Sequence, residues 1–372
     1  MQKINFNAIL KFKPKNFGVV SDITIKALVI LVTASVIVYS YIDKLFATGE
    51  RPWLNVPTLD ELESGASELP DAYKELIFEK EYPMALGIYD VIFDDGNVIV
   101  PNGQLKIVAT DLSKNPKPED VHLKNNTSYS LKSSTFLTAI GTSITVNKSD
   151  AEPDMSKPLV LIYHTHGTEG YADEGRTYYS PSALPRSTDI TKNVVAVGTY
   201  LAEILNSYGI PTLHCETMHD ANGNYNVAYS NSRKTVKEYL KKYPSIKYCF
   251  DIHRDALLNS TTVYKTLTYD ESTPVAQLMF VVGSDSSGTS NPNWKRNLSF
   301  AVNAQYFLAT RLNNLIRPIS IKKSAYNQQY PEIGALIEVG TCANTLKEAK
   351  AATEILGEIL SGMILNNVPL YS

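Results

Sequence analysis

Residues 159–169 read LVLIYHTHGTE. An apolar run, Leu159 to Tyr163, leads straight into His164, His166 and Glu169, with Gly167 among them. Such a run, closed by a polar turn, reads as a β-strand buried on both faces. Two later runs end in the same way. Ile246 to Ile252 delivers His253, Arg254 and Asp255, and Gly334 to Val339 carries Glu338 in its midst. In open α/β sheets, ligands and chemistry gather beyond the carboxyl ends of the strands. Three strand ends that bring His, His and Glu to one edge supply what a catalytic zinc site needs.

Around these runs, strands and helices alternate from Pro158 onward. Asn193 to Tyr208 has apolar residues at 194, 197, 201, 204 and 205, which is helical spacing, with Gly209 at the C-terminal cap. Ile210 to Leu213 reads as a strand and Ser230 to Tyr243 as a helix. Val275 to Gly283 reads as one buried strand and Trp294 to Leu315 as a long amphipathic helix. Thr345 and Glu348 form a capping-box pattern that opens a last helix to about Leu365. The expected fold is α/β, a twisted, mostly parallel sheet flanked by helices, over residues 151–372.

The rest of the chain is organised differently. Ala27 to Ile42 is uncharged and largely apolar; with its flanks it predicts a single membrane anchor at 27–46. Lys3, Lys11, Lys13, Lys15 and Lys26 precede it against one acid, Asp22, which places residues 1–26 in the cytoplasm and the remainder outside. A cleaved signal peptide competes, but the sequence Ala47-Thr48-Gly49 lacks a clean A-x-A site. Residues 47–80 read as a stalk. Residues 81–150 read as β-rich, with a hairpin about Asp94-Asp95-Gly96 and β-type residues at 105–108 and 143–146. A net charge of −3 over 372 residues gives no electrostatic case for nucleic acid. The cysteines, 215, 249 and 342, form no CxxC pair and no disulfide framework.

His166, His253 and an acid, Glu169 or Asp189, are the candidate zinc ligands. Asp189 qualifies because it lies just before the helix that starts at Asn193. On an extended chain His164 would share a face with His166, so it too is a candidate ligand. Glu338 interrupts an apolar strand, where a carboxylate is costly unless paired or functional; it is the candidate general base. Arg254 is placed to hold a substrate carboxylate or a developing oxyanion. Plainer readings compete: turn and capping roles for 164–169, an Arg254–Asp255 surface pair, and an exposed edge position for Glu338. Tyr171, Tyr178, Tyr179 and Tyr225 are candidates to line a glycan groove.

The motifs YHTHGTEGY at 163–171, Asn193-Val-Val-Ala-Val-Gly198, FDIHRDA at 250–256 and ALIEVG at 335–340 with Asn344 after it resemble the stage II sporulation protein P family over roughly residues 130–365. That family is similar to zinc-dependent N-acetylmuramoyl-L-alanine amidases. The resemblance implies an amidase-like catalytic domain whose metal ligands fall on His166 and His253 and whose catalytic Glu falls on Glu338. The middle ligand matches only near Asp189, with Glu169 as its substitute, and His164 has no counterpart. It further implies a substrate, peptidoglycan, cut between the lactyl group and L-alanine and also at the peptide cross-link. Implied partners are the stage II sporulation proteins D and M during forespore engulfment, at the mother-cell membrane facing the septal space. A zinc carboxypeptidase on stem peptides and a non-catalytic wall-binding member of a membrane complex are the alternatives.

Overall fold

A computed structural model describes residues 92–93, 100–114, 117–182, 184–221, 223 and 225–371. The expected anchor, the stalk and the Asp94-Asp95-Gly96 turn lie outside them. Among the described residues no helix is long and apolar enough to cross a membrane. In chain order the strands and helices are β1 (Ile92–Phe93), β2 (Leu105–Thr110), β3 (Leu123–Asn125), β4 (Val160–Tyr163), β5 (Tyr178–Tyr179), α1 (Val194–Ser207), β6 (Thr212–His214), α2 (Ala228–Lys242), β7 (Tyr248–Asp255), β8 (Thr262–Asp270), β9 (Thr273–Ala276), β10 (Leu278–Gly283), α3 (Trp294–Arg311), β11 (Ile319–Lys322), β12 (Ile333–Thr341) and α4 (Leu346–Leu365).

The main sheet has seven strands in the order β3-β11-β10-β12-β7-β4-β6. Every neighbouring pair is parallel except β10 with β12. The carboxyl ends of β6, β4, β7 and β12 therefore share one edge, and those of β10, β11 and β3 share the other. This is the mostly parallel α/β sheet that the strand–helix alternation predicts.

Side-chain alternation assigns the two faces. Val160, Ile162, Phe250, Ile252, Ile337 and Val339 pack in one core with residues of α1, α3 and α4. Leu161, Tyr163 and Cys249 face the other way, in a smaller core with Val236 and, at its margin, Tyr239 and Leu240 of α2. Each fully buried Leu, Ile or Phe here contributes about 1.5–3 kcal/mol. β4 is buried at all four positions, as a two-faced strand must be.

α1 begins where Asn193 accepts the Val195 N–H. α4 carries both bonds of its capping box, Thr345 with the Glu348 N–H and Glu348 with the Thr345 N–H. A second sheet, β1-β2-β8-β9 with β5 also on β2, lies beside β12 and α4. All three cysteines are free and buried.

Three expectations need correction. The run 275–283 is two strands, parted at Gln277, whose side chain takes the Leu112 N–H and donates to Asp111 and to the Asn314 carbonyl. α3 stops at Arg311, four residues early, because Leu312 is extended. Residues 143–146 form no strand; Ile144 lies against Gly362 of α4 instead. The segment 100–125 supplies β2 to the second sheet and β3 to the main one, so its strands pair with those of residues 262–322.

Candidate functional site

The site forms at the edge where β4, β7 and β12 end. Glu338 stands directly across from His253 in the β12–β7 register. Both continue the face that carries Cys249 and Asp251, opposite the face of Ile252 and Ile337, by strict alternation. Beyond Glu338 the register slips before Thr341 meets Asp255, and Gly340 takes a φ of 70° in this bulge. A Cβ there would stand 2.9 Å from Asn344 Oδ1. The bulge ends the pairing beside the functional residue, a common use of such an irregularity.

Past Tyr163 the chain turns, and the two histidines of the first motif part company. His164 stays on the α1 face. Its Nδ1 donates to the Ile252 carbonyl at 2.9 Å, and its Nε2 meets Nε2 of His214 at 2.8 Å. The imidazole thus adds one more rung to the β4–β7 ladder, and the His214 ring supplies the proton between the two nitrogens. Burial, then its neighbour His214, lowers the His164 pKa to about 3, and burial lowers that of His214 to about 4. Both stay neutral. His164, a candidate ligand on the strand alternation, lies outside the cluster because it keeps the face of Val160 and Ile162, and His166, past the turn, does not share it.

His166 crosses to the α2 side. Its ring stacks on Tyr225 at 3.7 Å and 2°, and stands edge-on to His253 at 5.4 Å. Gly167 makes the crossing feasible, because a Cβ there would lie 2.5 Å from Met218 Cγ and 2.8 Å from its Cα. Burial lowers the His166 pKa to about 4, so the ring is neutral, as a metal ligand must be.

Glu169 is buried with Oε2 3.3 Å from His253 Nδ1, and it accepts the Arg254 N–H at 3.2 Å. Burial pushes its carboxyl up; the His253 bond and charge, with Arg254 and His166, outweigh that and hold it at about 2. Asp251 Oδ1 lies 3.0 Å from His253 Nε2 but off the hydrogen-bonding direction, while Asp251 takes the N–H and hydroxyl of Thr165. Burial disfavours charge on His253; Asp251 and then Glu169 overcome it and raise its pKa well above the ordinary value.

Glu338 keeps some accessible surface, yet its Oε2 is buried and has no hydrogen-bond partner. Burial, with the nearby Asp255, raises its pKa to about 8 against the opposing charge of His253. Nδ1 of His166 is likewise buried without a hydrogen bond, whereas Nε2 of His253 faces the Asp251 carboxylate at 3.0 Å. Two orphaned polar atoms in one cluster mark a place that a ligand completes.

The two acids offered as third ligand separate clearly. Glu169 lies in the cluster. Asp189 is exposed and accepts the N–H and hydroxyl of Thr191, with Lys192 nearby, so the structure leaves it outside. Arg254 is also corrected. It is buried, and its guanidinium donates to the carbonyls of Gly170 and Pro185, where it pins the segment that follows Glu169. Asp255 pairs instead with Arg317 at 2.7 Å. Of the tyrosines, Tyr171 is buried with its hydroxyl on the Val339 carbonyl, whereas Tyr225 is 46% exposed, stacked on His166 and with the Arg186 guanidinium 4.8 Å from its ring centre.

Several residues of the site escaped the sequence reading. His214 ends a short apolar strand as His164 and His253 do, and that signal was available. Asp220 and Arg186 lie in loops without pattern, and only the fold brings them to Thr168.

The donor chemistry suits a borderline cation: two imidazoles, one of them held neutral, and a carboxylate that stays ionised. Donor atoms 3.3 Å apart, as in Glu169 and His253, match the separation of about 3.4 Å between neighbouring ligands of a tetrahedral zinc. Among the described residues no group of three or more His, Cys, Asp or Glu side chains is placed so that it could hold a metal ion as it stands.

A family model described as stage II sporulation protein P matches residues 77–361. Stage II sporulation protein P of Bacillus subtilis (strain 168) is 28% identical over 219 residues, 56% of this chain and 51% of that protein, so the match spans about half the relative's length. Among solved structures the chain is similar in outline to N-acetylmuramoyl-L-alanine amidase AmiC2 of Nostoc punctiforme (13% identity, TM-score 0.31, covering 58% of this chain and 98% of that one). It is similar to the same degree to the catalytic domain of CwlV, an N-acetylmuramoyl-L-alanine amidase of Bacillus (Paenibacillus) polymyxa (15% identity, TM-score 0.33, covering 57% and 99%). Matched over most of its length by the family model, the chain belongs to the stage II sporulation protein P family.

Proposed function

We propose that this protein is a peptidoglycan hydrolase of sporulation, a zinc-dependent N-acetylmuramoyl-L-alanine amidase. The observation that carries the reading is the pairing of Glu338 with His253 across two strand ends, with His166 and Glu169 converging on the same spot. His166, His253 and Glu169 would hold the ion, which would supply the Lewis acidity that polarises an amide carbonyl and acidifies water. Glu338 is the general base: it takes a proton at its carboxylate and returns it to the leaving amine. Its pKa of about 8 falls toward the neutral range when a cation shares the cleft, which suits both halves of that task. Arg254 acts through the backbone, by fixing the 169–186 segment that carries Glu169. Family membership supports the wall as substrate. Cleavage of the peptide cross-link, a membrane anchor at 27–46, a place on the mother-cell membrane during engulfment and partnership with the stage II sporulation proteins D and M belong to the same proposal.

The test is mass spectrometry of products released from purified peptidoglycan by the full chain, with and without a chelator. Stem peptides with a free N-terminal alanine, lost on chelation, are the expected product. Cross-link cleavage without that product would replace the amidase with an endopeptidase. A requirement for a free peptide carboxyl terminus would favour a carboxypeptidase, and no product under any metal condition would favour a wall-binding role. Metal analysis tests the ligand set: Glu169→Gln is expected to lose zinc and Asp189→Ala to keep it.

A further inference from the structure

Three arginines stand around the cluster, and only one faces outward. Arg254 and Arg317 are each 5% exposed and bonded to backbone carbonyls or to Asp255. Arg186 keeps 45% of its side chain exposed. Its place is fixed from several sides. Its backbone bridges to Glu169 across a short antiparallel contact. Its Nη1 donates to Thr168 Oγ1 at 2.8 Å and to Asp220 Oδ2 at 3.0 Å. Asp220 is buried and its carboxylate also takes the N–H and hydroxyl of Thr168. The guanidinium lies over the ring of Tyr225, which stacks on His166. Arg186 therefore stands beside the ring that packs on a candidate ligand, held rigidly by one nitrogen, with the outer part of its fork toward solvent.

The carboxylates Glu169, Asp251 and Asp220 are buried, the first two against His253. Among the three arginines, Arg186 is the one whose charge an acidic substrate can reach from solvent. A planar fork held by one nitrogen is suited to take a carboxylate with the others, by direction as much as by charge.

We infer that Arg186 is a substrate-anchoring residue that binds a free carboxylate of the peptide just beyond the scissile bond. This rests on the amidase reading and names its substrate class: a peptide whose residue after the alanine is acidic and not amidated. Arg186 acts in binding and specificity, and no bond is made or broken at it.

The test uses two soluble probes, both with the glutamyl γ-carboxyl capped as its methylamide: N-acetylmuramoyl-L-alanyl-D-glutamate with a free α-carboxylate, and the corresponding α-carboxamide, which has no carboxylate on that residue. Binding is measured by calorimetry on the zinc-loaded full chain carrying Glu338→Ala, so that no turnover is needed. The acid is expected to bind roughly 10- to 100-fold tighter than the amide, the range of one charge-assisted contact. Adding Arg186→Gln is expected to abolish that difference and leave the amide's affinity unchanged, while Arg186→Lys retains part of it. Zinc content should not move; the melting temperature of Arg186→Gln should fall through the unpairing of buried Asp220, equally with either probe. Equal binding of both probes by the unsubstituted Arg186 chain, equal weakening of both by Arg186→Gln, loss of zinc in that variant, or no binding of either probe would each overturn the inference. Discrimination by binding without any cleavage by the Glu338 form would keep the anchor and remove the amidase.

Discussion

Gly198 lies in the first turns of α1, where the helix touches the buried His164–His214 pair. A Cβ added there would stand 2.6 Å from both Cε1 and Nε2 of His164 and 2.7 Å from Nε2 of His214. Ordinary carbon contacts are about 3.5–4 Å, so something must move by about 1 Å. His164 has nowhere to go: it is fully buried and held at both ring nitrogens. Overpacking of this kind costs about 1–3 kcal/mol. Weakening the His164 bonds adds about 1 kcal/mol, and alanine's better helix propensity offsets about 1 kcal/mol. Gly198→Ala is therefore expected to destabilise the protein by about 1–3 kcal/mol in urea unfolding. The displacement has a second consequence. His164 fixes the Ile252 carbonyl, and Ile252 precedes His253, so zinc affinity should fall by about tenfold, as for the loss of a group that orients a ligand. His214→Ala opens the space that the new methyl needs, and in that background Gly198→Ala should cost at least 1 kcal/mol less. A variant as stable as the parent, or the same penalty in both backgrounds, would refute the argument that the histidine pair sets this glycine.

Two further outcomes follow from Glu338. Glu338→Gln should abolish hydrolysis and leave zinc bound; loss of the metal with the activity would make Glu338 a ligand. In chelator the same substitution should change how stability depends on pH. Below the ordinary value of 4.5 the carboxyl is protonated in the folded and unfolded chains alike. Between there and about 8 the unfolded chain releases the proton while the folded chain retains it, so stability falls as pH rises through that window and then levels. The glutamine variant lacks this loss and should gain about 2 kcal/mol on the parent between pH 5 and 8, a figure discounted for the surface Glu338 keeps. Parallel stability curves would show that burial does not hold the proton.

The sheet's centre was legible because its strands are buried on both faces and so read as unbroken apolar runs. The second sheet was not. β8, TVYKTLTYD, mixes polar and apolar residues, and its neighbour β9 begins at an exposed Thr273. Neither offers the continuous run that betrays a core strand. Within the site, Glu338, His253, His166 and Glu169 were legible from position alone, as polar residues at the ends of apolar strands. Asp189 and His164 show the limit of that logic. Helix-start position does not say which way a carboxylate turns, and Thr191 captures Asp189 locally. Strand alternation holds through His164 and fails at His166, past the turn, so the two histidines do not share a face. Arg254 was singled out as a charge where a core strand emerges, ready for a substrate carboxylate or oxyanion; it is instead buried, and its partners are carbonyls on a loop that sequence gives no means to place.

The three cysteines have a practical consequence. Cys215 follows β6, Cys249 lies inside β7, and Cys342 follows β12. Cys215 and Cys342 each follow a strand at the working edge of the sheet, whereas Cys249, the second residue of β7, lies toward the opposite edge. Burial also pushes the Cys249 and Cys342 thiols up, which keeps them inert while the fold is closed. A maleimide added to the native protein should thus react only when a strand end opens. With peptide mapping the chain carries three built-in probes of local breathing. Cys342, whose N–H bonds to the Asp255 carbonyl, reports on the edge that holds His253, and Cys249 on the opposite edge, so the two say which end of β7 opens first.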